Sequence, residues 1–158
     1  GRRRVAVIAG VDERSRRRAR AFSDEAVRLG MAVAGRTEVP QCMVPAPTTL
    51  GSGRTGLADL LGQDDAIDGV FCSSDILAMG VMIEAQVRGI VIPSELAVMG
   101  FGDLSFSRDL HPQLTTVRVD GTGIGKTAAR FIIERAEGRE VPERVHDIGF
   151  TIIERQSV

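Results

Sequence analysis

Residues 71–80 read FCSSDILAMG, entered through Asp68-Gly69-Val70 and followed by VMIEAQVRG. An apolar run stops at Ser73, Ser74 and Asp75, and an apolar helical pattern starts at once. A short apolar run closed by polar residues marks a buried strand, here Gly69 to Cys72. Residues 75–88 then form a helix that is apolar nearly all round, ended by Gly89. That distribution predicts burial on two sides, in the core and against a partner chain.

The same alternation extends both ways. Upstream, VAVIA at Val5–Ala9 is a buried strand. Asp12 is placed to cap a helix running to Leu29, with Ala19, Phe22, Ala26 and Leu29 on its apolar row and Gly30 as its stop. Residues 42–46 (CMVPA) read as a weaker strand, and Ser52 to Leu61 as a short helix. Downstream, LAVMGF (Leu96–Phe101) and Thr115–Val119 read as strands. Residues 122–137 form an amphipathic helix with Ile124, Ala128, Phe131 and Ile132 on one face, and Ile148–Ile153 is a last strand. Strands alternating with helices predict right-handed βαβ units, an α/β fold with a doubly wound parallel sheet.

A chain of 158 residues can bury a real core. Its apolar fraction of 43% and charged fraction of 26% are those of a globular domain, and a formal net charge of −1 gives no global field for nucleic acid. Cys42 and Cys72 lie in apolar surroundings without metal spacing, which suits free thiols in a reducing, cytoplasmic compartment. No apolar run reaches the ~18 residues of a membrane span. The first residue is Gly and a strand begins almost at once, as expected of a piece of a longer protein.

In open α/β sheets, ligands bind beyond the carboxyl ends of the strands. The groups expected there are Arg18 on the first helix, Thr48 after the second strand, and Ser73, Ser74 and Asp75 after the third. Gly102 and Asp103 follow the fourth, and Asp120-Gly121 the fifth. The serines serve equally as helix caps. Arg18 stands apart in the basic run DERSRRRARAF: it precedes Phe22 by one turn, on the row facing the core. A bidentate carboxylate partner would suit its fork.

DGTGIGKT (Asp120–Thr127) imitates a phosphate-binding loop, but Asp120 stands where that motif requires its first glycine. Lys126 is then a surface helix residue. His111 and His146 lack metal spacing and a nucleophile partner, so neither an enzyme nor a cofactor is expected.

With these residues in place, the chain resembles the effector-binding core of the lac-repressor family of bacterial transcription regulators. The resemblance rests on RRRVAVIAG, RARAF, DGVFCSSDILAMGVMIEAQVRGIVIPSELAVMGFGD, HPQLTTVRVD and IIERQS, in family order over nearly the whole chain. Within the family it is most similar to the gluconate operon repressors. The resemblance implies the C-terminal lobe of a two-lobed, periplasmic-binding-protein-like core. Residues 1–120 and 147–158 would form that lobe, and 121–146 a crossover helix packing on an N-terminal lobe that this chain lacks, as it lacks the helix-turn-helix head that meets operator DNA. Here that helix is expected to pack on another copy or fold back on its own chain. A homodimer through Met79, Met82 and Ile83 is likewise implied.

The resemblance also implies an effector site made by Arg18, Thr48, Ser74, Asp75, Gly102, Asp103, Val119, Asp120 and Gly121. Gly102 replaces the first acid of the family's usual GYDD turn, and Val119 and Gly121 replace common ligand contacts. Loss of an acid beside a retained Arg18 favours an anionic effector, a sugar acid such as gluconate, over a neutral sugar. A sugar-binding protein serving transport is the alternative.

Overall fold

The computed structural model describes residues 2–31, 38–141 and 145–158. Part of the segment joining the first helix to the second strand, and part of the approach to the last strand, lie outside the described residues. Six strands form one sheet: β1 (Val5–Gly10), β2 (Gln41–Val44), β3 (Gly69–Cys72), β4 (Ala97–Phe101), β5 (Thr115–Arg118) and β6 (Thr151–Ile153). The four helices among the described residues are α1 (Glu13–Arg28), α2 (Leu50–Gln63), α3 (Asp75–Val87) and α4 (Gly121–Ala136). A short 3₁₀ turn covers Ser105–Arg108.

The strand order is β2-β1-β3-β4-β5-β6, parallel from β2 to β5. The expected α/β sheet is therefore present, with one correction: β6 pairs antiparallel to β5. The reason is α4. A helix that packs back on the sheet returns the chain to its starting edge, as in a βαβ unit. α4 buries none of its residues, so the chain comes back at the edge it left.

The larger core cluster lies under α2 and α3 and is centred on Ile8, Leu57, Leu60, Leu77, Val81, Val98 and Leu114. Two glycines set how closely these helices cross. A Cβ on Gly53 would lie 2.3 Å from the Leu77 carbonyl oxygen, and one on Gly80 would lie 2.2 Å from that of Leu50. The second cluster packs α1 on β1 and β3 through Val5, Val7, Ala19, Ala26 and Phe71, with Phe22 stacked on Phe71 at 4.9 Å. Two details of α1 differ from its apolar row. Leu29 is exposed, while Ser15 and Ser23 are buried. Serine is small enough for the close approach to the sheet, and the Ser23 hydroxyl is satisfied by donating to the Ala19 carbonyl at 2.8 Å.

Burial of α3 on two sides is partly met. Leu77, Ala78, Val81 and Ala85 are fully buried, and Met82 nearly so. Met79 and Ile83 remain half-buried, lining an apolar groove with Ile90, Ile92, Leu110 and Pro112. α4 was expected to find a cover. Among the described residues, a ring contact between Phe131 and His146 at 6.0 Å links it to the segment that follows, while Ile132 is 71% exposed.

Candidate effector site

The site is built at the carboxyl edge of β1, β3 and β4, where sheet order reverses around β1. Each helix that starts there is capped by the side chain just before it. Asp12 accepts the Ser15 amide at 3.1 Å, Thr49 that of Ser52 at 3.1 Å, Ser74 that of Leu77 at 3.4 Å, and Asp120 that of Gly123 at 2.9 Å. The cap of α2 is Thr49, so that helix starts earlier than Ser52. The fourth cap accounts for the DGTGIGKT stretch: a carboxylate occupies the Gly123 amide at the helix start, where a phosphate would bind, and Lys126 is exposed.

Ser73 ties the first two α/β crossings together. Its amide donates to the Ile8 carbonyl at 3.0 Å, and its hydroxyl accepts the Gly10 amide at 3.2 Å. Its carbonyl accepts Nη1 of Arg18 at 3.1 Å. The same guanidinium lies over the Phe101 ring, 3.6 Å from its centroid. Burial pulls the Arg18 pKa below its ordinary value, the charge of Asp12 opposes that, and Arg14 adds to it. The group stays charged at any physiological pH. Among the described residues, its hydrogen bonding is limited to the Ser73 carbonyl. Thr48 is half-buried beside Gly10, where its methyl group would lie 3.0 Å from an added Cβ.

Two of the three acids singled out from the sequence, Asp75 and Asp103, are engaged by groups other than Arg18. Asp75 is fully buried. Its Oδ2 accepts the Leu104 amide at 2.7 Å and the Ser107 hydroxyl at 2.8 Å, and its Oδ1 accepts the Thr116 hydroxyl at 2.6 Å. A Cβ on Gly100 would sit 2.2 Å from Oδ1, so this carboxyl fills the space a glycine leaves. Asp75 therefore joins α3 to β5 and to the turn after β4, and presents nothing to a ligand here. Asp103 is held at φ +49° beside Gly102 at +132°. Its two oxygens accept Arg155 at 2.6 Å and Arg118 at 2.6 Å. Burial would raise the Asp103 pKa, but the hydrogen bonds and charges of Arg155 and Arg118 outweigh it and hold the carboxyl below the usual range. These arginines stand at the end of β5 and just past β6, so Asp103 fastens both segments that lead to and from α4.

Val119, Asp120 and Gly121 form the turn into α4, where the Gly121 amide donates to the Val119 carbonyl at 2.9 Å. Thus Arg18 and Thr48 lie on either side of the Ser73–Gly10 link. Ser74, Asp75, Gly102 and Asp103 belong to the adjoining network, and 119–121 mark the exit. Phe101, Arg118 and Arg155 were missed as site residues. Only Phe101 had a signal: an aromatic at the last position of a strand pattern.

A mostly parallel sheet whose polar groups gather at one edge is the arrangement in which open α/β folds take ligands. The chain belongs to the periplasmic-binding-protein-like domain family, whose model matches residues 1–158. It is 34% identical over 158 residues to the HTH-type transcriptional regulator GntR of Pseudomonas aeruginosa, covering 99% of this chain and 45% of that protein. It is 31% identical over 99 residues to the HTH-type transcriptional repressor PurR of Vibrio cholerae, covering 63% of this chain and 30% of that one. The crystal structure of transcription regulator GntR from Chromobacterium violaceum superposes with a TM-score of 0.90 at 30% identity, over 99% of this chain and 57% of that one. The chain spans less than half the length of the Pseudomonas aeruginosa and Vibrio cholerae relatives. The lac-repressor-family likeness read from the residues agrees with these relatives.

Proposed function

We propose that this chain is the C-terminal effector-binding lobe of a bacterial transcription regulator, a sensing module and not an enzyme, and that its effector is a sugar acid such as gluconate. The observation that carries this is that Arg18, among the described residues, makes no salt bridge and feels an opposing charge only at a distance, from Asp12. Its guanidinium is half-buried at the strand ends with one carbonyl as its hydrogen-bond partner. No acid pairs with it directly: Asp103 is held by two arginines, Asp75 by three neutral donors, and Asp12 caps its own helix and reaches Arg18 only through its charge. A half-buried cation without a hydrogen-bonded carboxylate gains most from an anionic ligand.

Thr48, Ser74, Gly102 and the turn 119–121 would line the rest of the cleft, with the 121–146 crossover leading to a second lobe. Operator DNA would be met outside residues 1–158, as the relatives' HTH-type names suggest. A homodimer would form on the groove of Met79, Met82 and Ile83. Effector would act by its differential affinity for two arrangements of the lobes.

The test is a thermal-shift screen of the full chain with gluconate and related sugar acids, neutral sugars, and ATP with magnesium. Ligand at ~100 times its Kd adds about 2.7 kcal/mol of stability, a readily measured shift. Sugar acids alone should raise the Tm. Neutral sugars alone would point to a neutral effector and favour a transport-type sugar binder, and ATP alone would restore a nucleotide reading of 120–127.

A further inference from the structure

Resting on that reading, we propose that Phe101 is the positioning residue of the site, acting through Arg18. Three features support this. The guanidinium carbon stands 3.6 Å from the Phe101 ring centroid, the contact distance of two flat groups lying face to face. Phe101 is the last residue of β4 and is fixed there by register with Val117 of β5. The Ser73 carbonyl at 3.1 Å supplies a second point of attachment, and Ser73 is itself held by Ile8 and Gly10. A ring below and a carbonyl at one edge leave a flexible side chain little freedom.

The stack decides which ligand the cation accepts. A guanidinium presents all its N–H donors in its own plane and none from its faces. With one face on Phe101, the cation is approached along its free edge. Planar, two-oxygen anions match that edge through parallel N–H···O bonds. A hydroxyl offers a single acceptor oxygen and no charge. Holding the fork in place before ligand arrives also lowers the ordering cost of binding. Phe101 thus selects a carboxylate without touching it.

The experiment uses the full chain as wild type, Phe101→Leu, which keeps apolar bulk and removes the ring, and Phe101→Tyr, which keeps the ring. Two readouts are taken. The first needs no ligand: the Arg18 Nε–Hε resonance should be shifted upfield by ring current in wild type and Phe101→Tyr, and return to the free-arginine position in Phe101→Leu. The second is calorimetric affinity for gluconate, which should fall about tenfold in Phe101→Leu, the range of a partly desolvated cation–π contact, and stay within about twofold in Phe101→Tyr. An unmoved resonance, or equal gluconate affinity in all three proteins, would overturn the proposal. Wild type that binds no gluconate would remove the sugar-acid reading instead, and the resonance would still decide whether Phe101 positions Arg18.

Discussion

Replacing Asp75 with alanine should cost about 4 kcal/mol of folding stability. The carboxyl is fully buried and accepts three hydrogen bonds of 2.6 to 2.8 Å, from Thr116, Leu104 and Ser107. Two of those donors, the Ser107 and Thr116 hydroxyls, are themselves fully buried. Stranding a buried donor costs about 1–3 kcal/mol each. The part-buried Leu104 amide adds less, because water reaches it. Relief from burying the carboxyl returns some of the sum, which brings three losses down to about 4 kcal/mol. That is a large share of the ~5–15 kcal/mol typical of a domain. Asp75→Asn keeps the shape and one acceptor oxygen, and a hydroxyl can turn to accept its new N–H, so it should cost about half as much. Urea unfolding followed by circular dichroism measures both, read as a shift in midpoint at constant slope. If Asp75→Ala lies within 1 kcal/mol of wild type, Asp75 is not the joint between α3, β5 and the turn after β4.

Three further outcomes are expected. Gly80→Ala should destabilise by about 1–3 kcal/mol, because its methyl group would lie 2.2 Å from the Leu50 carbonyl and force α2 from α3; urea unfolding would reveal a smaller effect if the helices slide freely. Asp103→Asn should cost about 2 kcal/mol at pH 7. The folded pKa of Asp103 is depressed, so its stabilisation is full above the unfolded value near pH 4 and is lost as pH falls through the folded value. The gap between wild type and Asp103→Asn should therefore close in acid, and a gap constant from pH 7 to pH 2 would deny that the two arginines cause it. Ile132→Ser should change the stability of residues 1–158 by less than about 0.5 kcal/mol, as for any exposed site, and a loss above 1 kcal/mol would mean that α4 is covered in solution.

The strands were legible because β1, β3 and β4 are short apolar runs ended by polar or glycine residues, a pattern that needs no tertiary knowledge. The edge of the sheet was legible for the same reason: each polar group that closes a strand must gather there. Which way a polar side chain turns was not. An acid after a strand looks the same whether it meets a ligand or a buried hydroxyl, and Asp75 finds Thr116 and Ser107 far along the chain. Arg118 and Arg155 are remote in sequence from Asp103, so the pairing that occupies it carries no local pattern. Amphipathicity located α4 but says nothing of what covers its apolar face, and the antiparallel β6 follows from where the helix goes. Leu29 misled because the periodicity runs one residue past Arg28, where α1 ends, and Leu29 is its C-cap.

The proposed function stands on a carboxylate-bearing effector binding against Arg18. The most direct measurement is calorimetric titration of the full chain, wild type and Arg18→Ala, with gluconate and with its neutral polyol counterpart. Wild type should bind gluconate and prefer it to the polyol, and Arg18→Ala should weaken gluconate by about 2–3 kcal/mol while leaving the polyol nearly unchanged. Equal loss for both ligands, or an unchanged gluconate affinity in Arg18→Ala, would contradict it.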